Sequence, residues 1–172
     1  MARKSVDEYY LDIAREVSTR STCLRIHYGA VLVKNNCIIS TGYNGAASGY
    51  ANCNDLGVCI RDELNVPHGE RYELCRSVHA EANAIIQAHP DQAEGSILYL
   101  YGVDAKTGKP LNYNNPCEMC KRNIRNAKIA EVVSYQDVVL TKINPSKWIA
   151  EDLERYTKLR LEYGIKKEKV DD

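Results

Sequence analysis

The chain has 172 residues, and 23 Lys and Arg balance 23 Asp and Glu, so its formal charge is zero. That length suits a single domain able to bury about 70% of the surface its unfolded chain exposes, and it leaves little room for a second one. Balanced charge without a basic block argues against a nucleic acid polymer as partner, and no stretch approaches the ~20 apolar residues that span a membrane.

The first residues, Met1 to Asp7, have no apolar run behind their charges, so a cytoplasmic protein is expected. Seven cysteines in such a compartment point to thiols or metal ligands rather than disulfides. Ser5 and Glu8 form a capping box ahead of Val6, Tyr9, Tyr10, Ile13 and Val17, which predicts a first helix with those residues on its apolar stripe. Residues 28–34 and 37–43 are β-branched runs joined by Asn35-Asn36, the pattern of an antiparallel hairpin. Residues 46–76 show little periodicity, and a loop of that length in a compact domain needs a fastener. Ala82, Ile85, Ile86 and His89 then follow helical spacing, with Ser77 as cap and Pro90 as stop. Runs at 97–101 and 129–135 read as strands separated by a helix that opens at Asn115-Pro116, which implies a parallel crossover. Asn144-Pro145 opens a last helix carrying Trp148, Ile149, Leu153, Tyr156 and Tyr163, and Gly164 stops it. The order predicts one α/β domain over 1–172, a mixed sheet with helices on both faces, in which about 136–172 form a C-terminal helical extension. Cys37 on its strand and His27 are expected to be packing residues.

The chemistry concentrates in His79-Ala80-Glu81 and Pro116-Cys117-Glu118-Met119-Cys120. Cys117 and Cys120, three apart in the first turn of a helix, share a face, and the positive helix end favours their thiolates. With His79 they make three protein ligands. A closed structural zinc site has four, whereas a catalytic one keeps a position open for water. Glu81 cannot point along the same direction as His79, so it is expected beside that water as the proton carrier. Two thiolates and a neutral imidazole cancel the zinc charge, which leaves the water less acidic than with three neutral ligands and makes a nearby base necessary.

These residues resemble the zinc-dependent cytidine/deoxycytidylate deaminase family, whose H-x-E…P-C-x-x-C signature they reproduce, and the resemblance covers roughly residues 5 to 135. It implies a three-layer α/β/α fold and hydrolytic deamination of cytosine: Glu81 takes a proton from water, passes it to ring N3, and the oxygen attacks C4 as ammonia leaves. Gly42-Tyr43-Asn44-Gly45 is similar to a turn in the deoxycytidylate branch, which implies dCMP as substrate and places Asn44 on the sugar and Ala80 in the substrate pocket. Arg25, Lys121 and Arg122 are the phosphate candidates near the family's pocket mouth. Cys23, Cys53, Cys59 and Cys75 resemble a second, structural zinc site of some bacterial and phage members, with His68 as an alternative ligand. Residues 102–115 exceed the few that the family usually has there, and read either as a lid with Tyr113 on the base or as a surface excursion. The resemblance also implies a homo-oligomer, with dCTP and dTTP as effector candidates. The Pro-Cys-x-Met-Cys spelling leaves a tRNA-adenosine deaminase as an alternative, against which the neutral charge stands. A non-catalytic, zinc-stabilised nucleotide-binding module is a further alternative, against which the intact Glu81 stands.

Overall fold

The computed structural model describes residues 3–67 and 69–165, so His68 as a ligand and an edge strand beyond Ile165 lie outside the described residues. Helix α1 (Val6–Ser18) leads into β1 (Ile26–Lys34) and β2 (Cys37–Tyr43), then a short β3 (Gly45–Ala46). Short helices α2 (Cys53–Leu56) and α3 (Ile60–Glu63) and a 3-10 turn at Tyr72–Leu74 fill the aperiodic stretch before β4 (Ser77–Val78) and α4 (Ala80–Gln87). Next come α5 (Pro90–Ala93), β5 (Ile97–Asp104), α6 (Glu118–Asn126), β6 (Glu131–Gln136), β7 (Val139–Ile143) and α7 (Lys147–Glu162).

Five strands form one sheet in the order β2-β1-β5-β6-β7; β5 and β6 run parallel and the other pairs antiparallel. The sheet is therefore mixed, as expected, and the crossover between β5 and β6 is made by α6. Alternation along the strands splits the core in two. Val31, Val33, Tyr99, Tyr101 and Val133 pack on α1, whereas Ala30, Leu32, Leu98, Leu100 and Val132 pack with Ala80, Ala84, Ile124 and Trp148 on the other side. These two layers on either side of the sheet give the three-layer α/β/α architecture.

The capping box of α1 forms as expected, Ser5 Oγ accepting from the Glu8 amide at 3.2 Å and the Ser5 amide donating to Glu8 at 2.8 Å. The stripe differs: Tyr10, Leu11, Ala14 and Ser18 are buried, while Val6 and Tyr9 are each 54% exposed. Close approach decides part of this, because a β-carbon at Gly29 of β1 would strike the Ala14 carbonyl and the Ser18 amide, so α1 crosses β1 at the small residues Ala14 and Ser18. Likewise Ile86 is exposed and Ala84 buried in α4, since Gly42 of β2 brings that helix so near that a β-carbon there would meet the Ala80 carbonyl and Ala84 amide. Helix α4 ends at Gln87, and Pro90 opens α5 instead of merely stopping its predecessor. Cys37 is exposed rather than buried, lying at the turn end of β2.

The hairpin forms at Asn35-Asn36, both with positive φ (50° and 61°). The expected helical extension over about 136–172 begins instead with strand β7, whose run of Val139, Leu140, Thr141 and Ile143 suits a strand but whose turn, Asp137-Val138, lacks the glycine or asparagine that would announce a hairpin. Residues 102–115 continue β5 and fold back along the sheet, with bridges Val103 to Pro110 and Tyr113 to Gln136 and with Asn114 buried. In α7 only Trp148 is buried, and Ile149, Leu153, Tyr156 and Tyr163 of the expected apolar stripe are exposed.

Candidate metal centre and active site

Strands β3 and β4 pair through Gly45 with Val78 and Ala46 with Ser77, and this small ladder delivers the chain into α4 beside the sheet. His79 is the N-cap of α4, with extended backbone and no side-chain capping bond. Cys117 is the N-cap of α6 in the same conformation, also without a capping bond. Both starts differ from the expected ones, since Ser77 lies in β4 and Asn115-Pro116 precedes the cap. The reason is geometric: an extended N-cap residue directs its side chain off the helix end, so His79 and Cys117 point at each other instead of capping their own helices.

His79 Nδ1 lies 3.4 Å from Sγ of Cys117 and 3.4 Å from Sγ of Cys120. Among the described residues these three make the one group of His, Cys, Asp and Glu side chains whose ligand atoms all fall within 4.8 Å of one another. Two sulfurs and one imidazole nitrogen suit zinc, and three protein donors leave a fourth position for a small oxygen ligand.

The electrostatics fit that role. Hydrogen bonding from Cys120, and then from His79, pushes the Cys117 thiol down to about 4, while its role as donor to Cys117 together with burial pushes the Cys120 thiol up. One proton is thus shared between two sulfurs, and a thiolate stands ready for a cation. The Cys117 hydrogen bond raises the His79 imidazole against the effect of burial. Glu81 is 5% exposed, and burial pushes its carboxyl above the usual carboxylate range, with the nearby His79 opposing. A carboxyl held high in this way is suited to taking and returning a proton near neutral pH.

The centre opens on a cavity of about 680 Å³ lined by Tyr28, Asn44, Ala80, Glu81, Tyr72 and Arg61 among others. Asn44 is buried and its amide is largely used by the fold. Oδ1 accepts from the Tyr28 amide and the Ser21 hydroxyl, both at 2.7 Å, and Nδ2 donates to the Ile26 carbonyl at 2.8 Å. Nδ2 carries a second hydrogen that the Ile26 bond does not use, and Asn44 lines the cavity.

Of the basic candidates, Arg25 lines the cavity but pairs with Asp62 at 3.1 Å, and Lys121 lines it while bonded to Glu118 at 2.8 Å. Arg122 is exposed and lines, with Arg125 and Trp148, an adjoining groove between α6 and α7 that shares Glu118, Lys121 and Arg155 with the cavity. One residue along a helix turns a side chain by about 100°, so Lys121 lines both the cavity and the groove whereas Arg122 lines the groove alone. Cys23, Cys53, Cys59 and Cys75 all line one part of the cavity, and burial, followed by the proximity of the other three, raises the Cys53 thiol. Their sulfurs are gathered without closing to the separation seen at His79. Tyr113 stands 60% exposed at the rim, its hydroxyl accepting from Asn115 at 3.1 Å.

Three lining residues had no signal in the sequence. Arg61 and Tyr72 fall in the aperiodic stretch, and Arg155 comes from α7 to lie 3.4 Å from Glu118. An arginine two residues after a cysteine inside a weakly patterned loop offers nothing to separate it from a solvated one.

Fold and site together define a zinc-dependent hydrolase centre held between two helix N-termini. The family model for the cytidine and deoxycytidylate deaminase zinc-binding region matches residues 4–136, and the chain belongs to that family. It is 36% identical over 138 residues to the deoxycytidylate deaminase of Mycobacterium phage D29, covering 77% of this chain and 96% of that one. It is 34% identical over 134 residues to the deoxycytidylate deaminase of Schizosaccharomyces pombe, covering 77% of this chain but only 38% of that longer protein. The dCMP deaminase of cyanophage S-TIM5, solved with dCMP and dUMP, superposes with a TM-score of 0.52 at 24% identity, over 78% of this chain and 83% of that one, which supports the fold.

Proposed function

We propose that this chain catalyses the zinc-dependent hydrolytic deamination of dCMP to dUMP and ammonia, supplying the deoxyuridylate used for thymidylate synthesis. The observation that carries this reading is the convergence of His79, Cys117 and Cys120 beside the buried Glu81, on a cavity of nucleotide size. His79, Cys117 and Cys120 would hold the zinc, which when bound supplies a Lewis acid that activates water. Glu81 carries protons between that water, ring N3 and the departing ammonia. Ala80 and Asn44 face the substrate, Asn44 by its remaining amide hydrogen, and Arg25 stands at the end that receives the phosphate. A tRNA substrate would need a basic surface, which the balanced charge does not supply. Homo-oligomeric assembly, a cytoplasmic location and control by dCTP or dTTP rest on the family relationship and belong to this reading.

Ammonia release measured against dCMP, CMP, deoxycytidine and cytosine tests it. Fastest turnover is expected with dCMP, and equal rates for dCMP and deoxycytidine would remove the monophosphate assignment.

Asn44→Ala should act on both stability and turnover. It leaves the Tyr28 amide, the Ser21 hydroxyl and the Ile26 carbonyl without their partner. The expected loss is about 3 kcal/mol in stability and roughly ten- to a hundredfold in kcat/KM for dCMP, with zinc retained. Unchanged melting and turnover would show that neither the junction nor the substrate uses this amide.

The cysteines Cys23, Cys53, Cys59 and Cys75 are proposed to hold a second, structural zinc, supported by their gathering around one part of the cavity wall. About two zinc ions per chain are expected, with Cys53→Ser mainly lowering stability. Metal analysis giving a single zinc that survives in Cys53→Ser would exclude the second site.

A further inference from the structure

Arg61 is a cation that the catalytic reading leaves unused. It is only 7% exposed and lines the same cavity as His79, Glu81 and Cys117. Its guanidinium carbon lies 4.8 Å from the centroid of the Tyr72 ring, and Tyr72 in turn meets the His79 ring edge-on at 5.1 Å. Nη2 donates to the carbonyls of Pro67 at 3.1 Å and Glu70 at 2.6 Å, while Nε is sealed from solvent without a partner. Among the described residues no carboxylate pairs with it, although Arg25, Lys121 and Arg155 around the same cavity all have one.

A guanidinium keeps its charge at any pH at which a protein folds, and taking that charge out of water is costly unless an anion accompanies it. Two carbonyl dipoles compensate only partly. Both Nη2 hydrogens are used by those carbonyls and Nε is sealed, so Nη1, which makes no hydrogen bond among the described residues, is the donor left for an oxyanion in the cavity that Arg61 lines. We propose that Arg61 is a specificity-determining residue that pairs with the phosphate of the bound nucleotide and, through the Tyr72 stack, uses that anion to fix the orientation of His79. This rests on the deamination reading of the same cavity. It adds that the phosphate contributes to the chemical step as well as to binding, since a remote group's binding energy can be spent on ordering the reacting centre. A nucleoside without phosphate leaves Arg61 unpaired and Tyr72 less firmly seated against His79.

The test compares dCMP with deoxycytidine, with and without inorganic phosphate, in the zinc-loaded protein and its Arg61→Met and Arg61→Lys variants. In the unaltered protein, inorganic phosphate should raise deoxycytidine turnover severalfold, because the free anion fills the place the nucleotide's own phosphate would take. Arg61→Met should narrow the preference for dCMP over deoxycytidine by about a hundredfold, mainly through kcat, and abolish the phosphate stimulation, while Arg61→Lys keeps part of both. Absence of stimulation in the unaltered protein would overturn the proposal whether or not a variant folds. So would an equal loss on both substrates in Arg61→Met, which marks a residue that only supports the loop. Calorimetry with the products separates this proposal from the reading beneath it: if no cytosine compound releases ammonia, the deamination reading fails, yet dUMP binding about a hundredfold tighter than deoxyuridine only when Arg61 is present still decides the role of Arg61.

Discussion

Glu81→Gln should lower dCMP deamination at least about a hundredfold while the protein keeps its zinc and its fold, the smaller end of what a positioned acid/base contributes. The substitution preserves shape in a site where Glu81 is 5% exposed, so packing is undisturbed. What it removes is the ability to take a proton and give it back. Burial already holds the carboxyl above its usual range, which makes the neutral form accessible and the proton easy to pass on. Single-turnover rates on a preparation shown by metal analysis to be zinc-loaded are the measurement. Near-normal turnover in that preparation would mean that another group moves the proton, and the role given to Glu81 would be lost.

Cys117→Ser should abolish activity by removing the metal. Hydrogen bonds with Cys120 and His79 lower the Cys117 thiol, which favours the thiolate form that zinc takes as a ligand. A serine hydroxyl in the same place stays protonated and is a poor partner for zinc. Serine is nevertheless a good N-cap, so the start of α6 should survive, and the variant separates loss of metal from loss of fold. The expected outcome is one zinc fewer per chain, activity lower by more than about a thousandfold, and a circular dichroism spectrum close to that of the unaltered protein. Retention of that zinc with activity intact would contradict the ligand set.

Both residues are legible in the amino-acid sequence because the patterns that mark them are local. A spacing of three within the first turn of a helix brings Cys117 and Cys120 to one face whatever the rest of the chain does. The capping box at Ser5 and Glu8 and the turn at Asn35-Asn36 are readable for the same reason, since the partners lie within a few residues of one another. Asn44 is legible only as a turn residue, and its expected place on the sugar comes from the family resemblance. That its amide also ties β1 to β2 depends on Tyr28, Ser21 and Ile26, which lie 16 to 23 residues away.

Local pattern therefore carries the proposed chemistry: three candidate metal donors and a carboxyl placed to carry a proton, together with an α/β order with a parallel crossover and the family those features resemble. Packing settles everything that depends on which face meets which. Gly29 and Gly42 let α1 and α4 approach the sheet closely at Ala14 and at Ala80 and Ala84, so apolar residues such as Val6, Tyr9 and Ile86, which helical period alone would bury, face outward. Helical rotation leaves Arg122 on the groove beside the cavity, while Lys121 lines both. Folding of the stretch before α4 over the metal centre buries Arg61 beside Tyr72 and His79 without a counter-ion among the described residues. Periodicity reports how a side chain is placed on its own element, whereas burial and charge pairing are set by elements far apart in the chain, and only the packed domain brings those together.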